Sequence, residues 1–256
     1  MSLLLIALCL GAGCLIGFMG GVLGIGGGMI AIPALVLLMG MSQQLAQGTA
    51  LIMVLPTIIM AVRKYNQTRI DRRVALAGAG GAVVFTWVGA RLALGIESGV
   101  LRLSFAVFLF FIALFYAWQT WRAGLARRAP RASGNAPVFT PRRASVLGML
   151  CGTLGGFFGV GGAVLAVPII TTVFRLPQTT AQALALCMVI PGSAVALATY
   201  SWAGQAAWLV GLPLAAGSLL FVPVGVRLAY RLPERKLRAC FAAMLFATVA
   251  LLIFES

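Results

Sequence analysis

The amino-acid sequence predicts an all-α polytopic membrane protein built from two repeats of inverted topology, with short helices that are interrupted by glycines. Three observations lead to this prediction: the apolar composition, the length of the apolar stretches and a glycine-rich motif that occurs twice. Of the 256 residues, 62% are hydrophobic and 9% are charged. Soluble globular proteins contain about 25% charged residues, so this composition excludes that class.

The apolar stretches give the expected helices in chain order. Several contain the ~20 residues that a helix needs to cross the hydrocarbon core of a bilayer. Stretches 29–40 and 163–174 are shorter and each follows a glycine cluster, which is typical of the broken or re-entrant helices of transporters. Roughly 8–10 transmembrane segments are therefore expected. The stretches are 3–23, 29–40, 45–62, 74–95, 101–121, 144–158, 163–174, 181–199, 207–230 and 239–254.

The charged residues are distributed unevenly along the chain. The formal net charge is +15, from 19 lysines and arginines against four acidic residues. Such an excess often indicates a nucleic-acid partner, but 16 of the 19 cations lie in loops 63–73, 122–143 and 227–238, between apolar stretches. We therefore expect a lipid bilayer and no nucleic acid as partner. The positive-inside rule places these three loops in the cytoplasm.

An internal repeat covers nearly all of the chain. Segment Gly17–Pro33 aligns without a gap with Gly152–Pro168, with eight identities in 17 positions, and six of these are glycines. The cationic loop 63–73 aligns with the uncharged stretch 200–206. Because equivalent loops differ in charge, they are expected on opposite sides of the membrane. The two repeats are therefore predicted to be inverted relative to each other.

The repeat also defines the expected domain organisation. The first transmembrane repeat is predicted at 1–121, a cytoplasmic linker at 122–143 and the inverted second repeat at 144–256. The linker is rich in arginine, alanine and proline and shows no apolar periodicity. Both chain termini are expected on the outer face of the cell (inner) membrane, which the chain crosses several times.

The glycine clusters are the first candidates for a substrate site, because inverted repeats place such a site where their broken helices meet. Consecutive glycines allow backbone N–H groups to turn toward an anion, and the N-terminus of the next helix adds partial positive charge. The alternative is that the glycines only permit close helix packing. The candidate substrate-binding glycines are Gly24, Gly26, Gly27 and Gly28, and in the second repeat Gly159, Gly161 and Gly162.

Polar side chains inside the apolar stretches are further candidates for substrate binding. Gln47 and Gln182 occupy equivalent positions of the two repeats, and Thr49 lies close to Gln47 in the sequence. Amides and hydroxyls donate hydrogen bonds to oxyanions without a fixed charge, whereas ordinary bonding between helices is the alternative. Four prolines are expected to break, kink or start helices and not to contact the substrate, namely Pro33, Pro56, Pro168 and Pro191.

Two further pairs of equivalent residues are candidates for the mouths of a pathway. Arg91 and Arg227 recur in both repeats and would attract an anion to either vestibule. Snorkelling at helix ends explains these arginines equally well. Tyr65 and Tyr200 are interpreted first as aromatic residues at the membrane interface, with a role in gating as the alternative.

The composition excludes several kinds of chemistry. The chain has no histidine, so it contains neither a Ser-His-Asp triad nor an imidazole metal ligand. No acidic residue lies deep in an apolar stretch, which removes paired-carboxylate catalysis. The five cysteines lack CxxC spacing and are expected to be free thiols, with sulfur-relay chemistry at Cys151 or Cys187 as the alternative. We expect no enzyme, no cofactor and no metal.

The paired glycine motif, G-x-G-G-(G)-x4-P, resembles that of the TauE/SafE sulfite exporter family, and the similarity extends over almost all of both repeats. Ala163 stands where the second motif would have its last glycine, and Ala50 and Leu184-Ala185 stand where the family usually has a Thr-Ser pair. The resemblance places the family motif on Gly24, Gly26, Gly27, Gly28 and Pro33, and again on Gly159, Gly161, Gly162 and Pro168.

This resemblance implies a secondary transporter that moves small sulfur-containing anions, such as sulfite or organosulfonates, by alternating access. Export is expected because an inside-negative potential favours anion efflux by about 2.3 kcal/mol per charge per 100 mV. The alternatives are a passive anion channel, a cysteine-dependent sulfur-relay protein and an uptake permease for thiosulfate or sulfoacetate. The sequence leaves the coupling ion and the oligomeric state open.

Overall fold

The structure is a computed structural model that describes residues 3–65, 72–125 and 139–254. All regular secondary structure in these ranges is α-helical, which confirms the predicted fold class, and the helices follow the apolar stretches in order. The helices are α1 (Leu3–Leu23), α2 (Gly28–Met39), α3 (Gln43–Tyr65), α4 (Arg72–Leu94), α5 (Ser98–Leu125), α6 (Pro141–Phe158), α7 (Ala163–Val173), α8 (Gln178–Trp202), α9 (Trp208–Arg231) and α10 (Glu234–Phe254).

Six of these helices, α1, α3, α4, α5, α8 and α9, are long and apolar enough to cross a membrane. Large apolar side chains on their outer faces, among them Leu103, Phe111 and Leu209, are exposed. An apolar exterior of this extent suits lipid and not water. The described chain is therefore a polytopic membrane protein.

The helix boundaries reproduce the internal repeat. The starts of α2 and α7 keep the register of the sequence alignment, and so do the starts of α3 and α8. Relative to this register, the start of α9 is shifted by one additional residue from the start of α4. The same shift separates the starts of α5 and α10. The sequence alignment gains one residue at the same place, between the third and fourth helix of each repeat. Five helices of the first repeat thus correspond to five helices of the second.

Equivalent helices of the two repeats run in opposite directions. Gln47, near the start of α3, bonds to Tyr200, near the end of α8. Further along α3, Ile58 approaches Gly161 together with Val189, which precedes Tyr200 on α8. Later residues of α3 thus lie near earlier residues of α8, so these two helices are antiparallel. This is the relation expected of inverted repeats.

The two repeats are interleaved by glycines. Helix α1 packs against α9, and its equivalent α6 packs against α4. A Cβ added at Gly17 of α1 would lie 2.5 Å from the carbonyl oxygen of Ser218 on α9, and one at Gly152 of α6 would lie 2.6 Å from that of Ala82 on α4. Only glycine permits backbones to approach this closely. The first helix of each repeat is therefore bound to the other repeat.

The two short helices form hairpins with the helices that precede them. At 1.5 Å per residue, the 12 residues of α2 and the 11 residues of α7 span about 18 and 17 Å, less than the ~30 Å hydrocarbon core. One lateral cleft of about 340 Å³ is lined by Leu5 and Leu8 of α1 together with Leu38 and Met39 of α2. Because the far ends of both helices share this cleft, α2 runs back along α1.

The assignment of the four prolines as helix breaks is wrong. Each of the four lies inside a continuous helix, and the breaks fall at the glycines that precede α2 and α7. A proline removes one hydrogen bond, to the carbonyl four residues earlier, and membrane helices tolerate this loss where neighbouring groups compensate. The prolines concerned are Pro33 in α2, Pro56 in α3, Pro168 in α7 and Pro191 in α8.

The expected linker 122–143 is too long at both ends. Helix α5 continues to Leu125, and α6 already begins at Pro141. Proline fits the first turn of a helix because its missing N–H would have no helical partner there. Residues 126–138 of the linker lie outside the described residues.

We expect Gly17→Val to destabilise the protein, because the added side chain would collide with the backbone of α9. Overpacking of this kind costs about 1–3 kcal/mol. Gly11 lies on the same helix, is exposed and has no atom within 4 Å of an added Cβ, so Gly11→Val is the matched control. The melting temperature of the purified protein in detergent should fall for Gly17→Val only. Equal melting temperatures would contradict the proposed packing.

Candidate functional site

Two glycine loops at equivalent positions form the centre of the candidate site. The backbone dihedral φ is +68° at Gly24, +76° at Gly26 and +82° at Gly27. The equivalent residues of the second repeat, 159, 161 and 162, have φ values of +67°, +75° and +74°. Side chains disfavour this left-handed region, which is why glycine occupies all six positions. We call residues 24–27 the first glycine loop and residues 159–162 the second glycine loop.

Each glycine loop ends one helix and begins the next. The N–H of Gly24 bonds to the carbonyl of Gly20 at 2.9 Å, which closes α1, and Gly27 and Gly162 are the N-caps of α2 and α7. The first N–H groups of a helix have no partner within it and carry partial positive charge. Both loops are buried throughout. Two helix N-termini therefore point their donors into the protein interior.

The two glycine loops lie against each other. Gly28, which directly follows the first loop and begins α2, contacts the second loop: a Cβ added there would lie 3.4 Å from the Cα of Val160 and 3.7 Å from the carbonyl oxygen of Gly159. Ile58 of α3 touches both loops, since its side chain lies 2.8 Å from a Cβ at Gly26 and 3.5 Å from one at Gly161. The candidate glycines of the two repeats are thus brought together at the crossing of α3 and α8.

The two candidate glutamines each lie against the glycine loop of the opposite repeat. A Cβ added at Gly24 would lie 2.6 Å from Gln182 Cγ, and one at Gly159 would lie 2.6 Å from Gln47 Cβ. Gln182 Nε2 donates to the carbonyl of Leu23 at 2.7 Å. Both side chains are fully buried. The side chains of Gln182 and Gln47 therefore lie beside the glycine loops of the opposite repeats.

The remaining sequence candidates lie elsewhere. The Thr49 hydroxyl accepts the N–H of Ala207 at 3.0 Å, at the start of α9, so its partner is a helix end. Arg91 and Arg227 are exposed, and the Arg91 guanidinium lies 5.7 Å from the centre of the Trp87 ring. The side chain of Tyr65 lies outside the described residues.

The placement of Tyr200 at the membrane interface is wrong. Tyr200 is fully buried, and its hydroxyl donates to Gln47 Oε1 at 2.8 Å, with the carbonyl of Gly156 at 3.1 Å as a second acceptor. Tyrosines favour the interface because it hydrates their hydroxyl group, but here protein acceptors replace water. Tyr200 therefore belongs to the support of the second glycine loop.

Sequence reasoning missed Ser193 of α8. Its side chain is 1% exposed, and its Oγ lies 3.0 Å from the position of a Cβ at Gly161. The equivalent residue in the first repeat is Ile58, so a search for polar residues that recur in both repeats passes over this serine. A hydroxyl near the middle of stretch 181–199 is the signal that could have identified it.

The described residues thus form a membrane transporter: inverted repeats meet at a buried polar site made of two helix N-termini and neutral donors. The family model for the sulfite exporter TauE/SafE matches residues 9–252. The chain belongs to this family, as its glycine motifs indicate.

Named relatives agree with this class. The "probable membrane transporter protein YunE" of Bacillus subtilis is 25% identical over 94% of this chain and 93% of its own length. A "probable membrane transporter protein" of Xylella fastidiosa is 27% identical over 96% of this chain and 94% of its own length. No solved structure matches the chain.

We expect Gly159→Ala to impair both stability and transport. Alanine would be forced into the left-handed region, which costs about 1–2 kcal/mol, and its Cβ would collide with Gln47. Gly204 is the matched control, because its φ is +71° but no atom lies within 4 Å of an added Cβ. Gly204→Ala should show the backbone cost alone and retain transport. If both variants lose activity equally, contact with Gln47 is unimportant.

Proposed function

We propose that this transporter carries small sulfur-containing oxyanions, such as sulfite or organosulfonates, out of the cell by alternating access. The observation that carries the proposal is the meeting of two left-handed glycine loops at the buried N-termini of α2 and α7. Backbone N–H groups at helix N-termini bind oxyanions, and the amide of Gln47 adds a neutral donor beside them. The family name supports the same substrate class.

The neutral character of the side chains at the glycine loops supports an anion as cargo. The fully buried polar side chains that contact the two glycine loops are neutral amides and a hydroxyl, namely Gln47, Gln182 and Ser193. A cation fixed at the centre of a bilayer is costly, and it would also hold an anion tightly. A carboxylate would repel the anion. Neutral donors avoid both costs and allow the substrate to leave.

The packing argues for moving bodies that differ from the two sequence halves. Helix α9 packs against α1 and α3, and α4 packs against α6 and α8. Each group of three helices therefore combines both repeats, and the two groups meet along α3 and α8, where the glycine loops lie. Because interleaved backbones resist separation, rocking of one sequence half against the other is disfavoured. Alternating access is better served by motion between these two mixed groups.

The distribution of cations supports one orientation in the membrane. Arg63 and Lys64 are exposed at the end of α3, and Arg73 is exposed at the start of α4. We therefore place this side of the helix bundle in the cytoplasm, with the protein in the inner membrane. Helix α1 begins at the opposite end, beside the end of α2. By inversion, α10 also ends there. Both termini then lie outside, and Arg91 and Arg227 flank opposite mouths.

Transport by purified protein in proteoliposomes tests this function. Efflux of labelled sulfite should saturate with internal sulfite, and external sulfite should accelerate the exchange of label. Gly161→Leu should abolish flux in protein that still inserts, because the side chain would meet Ser193 and Val189 on a left-handed backbone. Flux that rises linearly and shows no exchange would instead indicate a passive anion channel.

A reporter fusion tests the orientation. An enzyme that is active only in the periplasm, fused after the last residue, should be active, whereas the same enzyme inserted between residues 126 and 138 should be inactive. This pattern follows from the cytoplasmic placement of the cationic loops. Activity of the linker insertion, with an inactive terminal fusion, would reverse the proposed direction of every helix.

A further inference from the structure

The two glycine loops have nearly identical backbones but different side-chain partners. Equivalent residues have closely similar φ values, as at Gly27 and Gly162 with +82° and +74°. A symmetric backbone could bind an anion equally well at either loop. The side chains that contact the loops therefore determine which loop has free hydrogen-bond donors.

The amide nitrogen of the glutamine beside the first loop has a hydrogen-bond acceptor, whereas the amide nitrogen of the glutamine beside the second loop has none among the described residues. Gln182 Nε2 donates to the carbonyl of Leu23, immediately before the first loop, at 2.7 Å. Gln47 accepts a bond from Tyr200 through Oε1. Its Nε2 is buried and has no hydrogen-bond partner among the described residues. An amide N–H beside the second glycine loop is therefore available to a ligand.

A second unpartnered donor lies at the same loop. Ser193 Oγ is buried and has no hydrogen-bond partner among the described residues, although it lies 3.0 Å from the position of a Cβ at Gly161. At the first loop, the equivalent contact to Gly26 is made by Ile58, whose side chain cannot donate. Buried donors without partners are costly, so their position at one loop calls for a ligand there.

We propose that the anion binds at the second glycine loop and not at the first, and that Gln47 Nε2 and Ser193 Oγ are its side-chain donors. The N–H groups at the start of α7 complete the site. Two neutral donors and a helix N-terminus suit the three oxygens of an –SO₃ group, which sulfite and organosulfonates share. The inference rests on the proposed function and assigns Ser193 as a specificity-determining residue.

The first glycine loop then has a structural role. Gln182 holds the end of α1 through its hydrogen bond to Leu23. Ile58 contacts the first loop at the position where Ser193 contacts the second loop, and its side chain is apolar. Ile58 supplies one apolar wall of the site, because its side chain also contacts the second glycine loop at Gly161. An apolar wall excludes water, which strengthens the hydrogen bonds to the anion.

Calorimetric titration of the purified full-length protein with sulfite, and separately with methanesulfonate, tests the assignment. Ser193→Ala and Gln47→Met should each raise the Kd for sulfite about tenfold, which corresponds to about 1.4 kcal/mol. A parallel rise for methanesulfonate indicates recognition of the –SO₃ group, and a rise for sulfite alone indicates the free inorganic ion. Either result supports the site.

The melting temperature without ligand separates this role from a structural one. Ser193→Ala should not lower it, because the hydroxyl has no partner to lose. Ser218→Ala is the matched control: Ser218 is equally buried but bonds to Thr57 Oγ1 at 2.7 Å, so this variant should melt earlier and keep the wild-type Kd. Gln182→Met should melt earlier and weaken binding less than Gln47→Met.

Three results would overturn the assignment. Unchanged sulfite affinity in both Ser193→Ala and Gln47→Met, with a wild type that binds, would reject the second loop while the proposed function stands. Equal losses in Gln47→Met and Gln182→Met would place the anion symmetrically between the loops. A wild type that binds neither sulfite nor methanesulfonate would reject the proposed function itself.

Discussion

The close approach of helix backbones between the two repeats is the constraint on which the rest of the structure depends. Glycines on α1 allow it to lie against α9, and glycines on α6 allow it to lie against α4. In lipid, helices gain little from burying apolar surface, so close packing of this kind supplies much of the association energy. It also fixes the positions of α1 and α6 in the bundle, and therefore where the two glycine loops meet.

Local backbone chemistry then converts this packing into a polar centre. The left-handed glycines stop α1 and α6 inside the protein and let α2 and α7 start there, so unpaired N–H groups are delivered to the interior without any charged side chain. The surrounding amides and hydroxyls are neutral. The site can therefore be strongly attractive to an oxyanion although no charged side chain is buried at the loops themselves.

Much of this architecture follows from local patterns and could be predicted. Apolar length located the helices, the duplicated glycines located the breaks, and the cations indicated inversion.

The direction of α2 could not be predicted, because a 12-residue apolar helix can continue across the membrane or turn back, and packing against α1 decides. Tyr200 was misplaced because its buried partners come from α3 and α6, far away in sequence. Ser193 was missed because symmetry directed attention to residues that recur, whereas the asymmetric pair Ser193 and Ile58 differentiates the two loops.

The exchange of first helices between the repeats has a consequence for biosynthesis. Helix α1 is complete after residue 23, but its partner α9 begins only at residue 208. At about 5–20 residues per second, the ribosome needs roughly ten to forty seconds to make the intervening chain. During that time the glycine face of α1 lies in the bilayer without the surface that it fits. The first repeat therefore has to wait for the second, and assembly of the helix bundle is completed only near the end of translation.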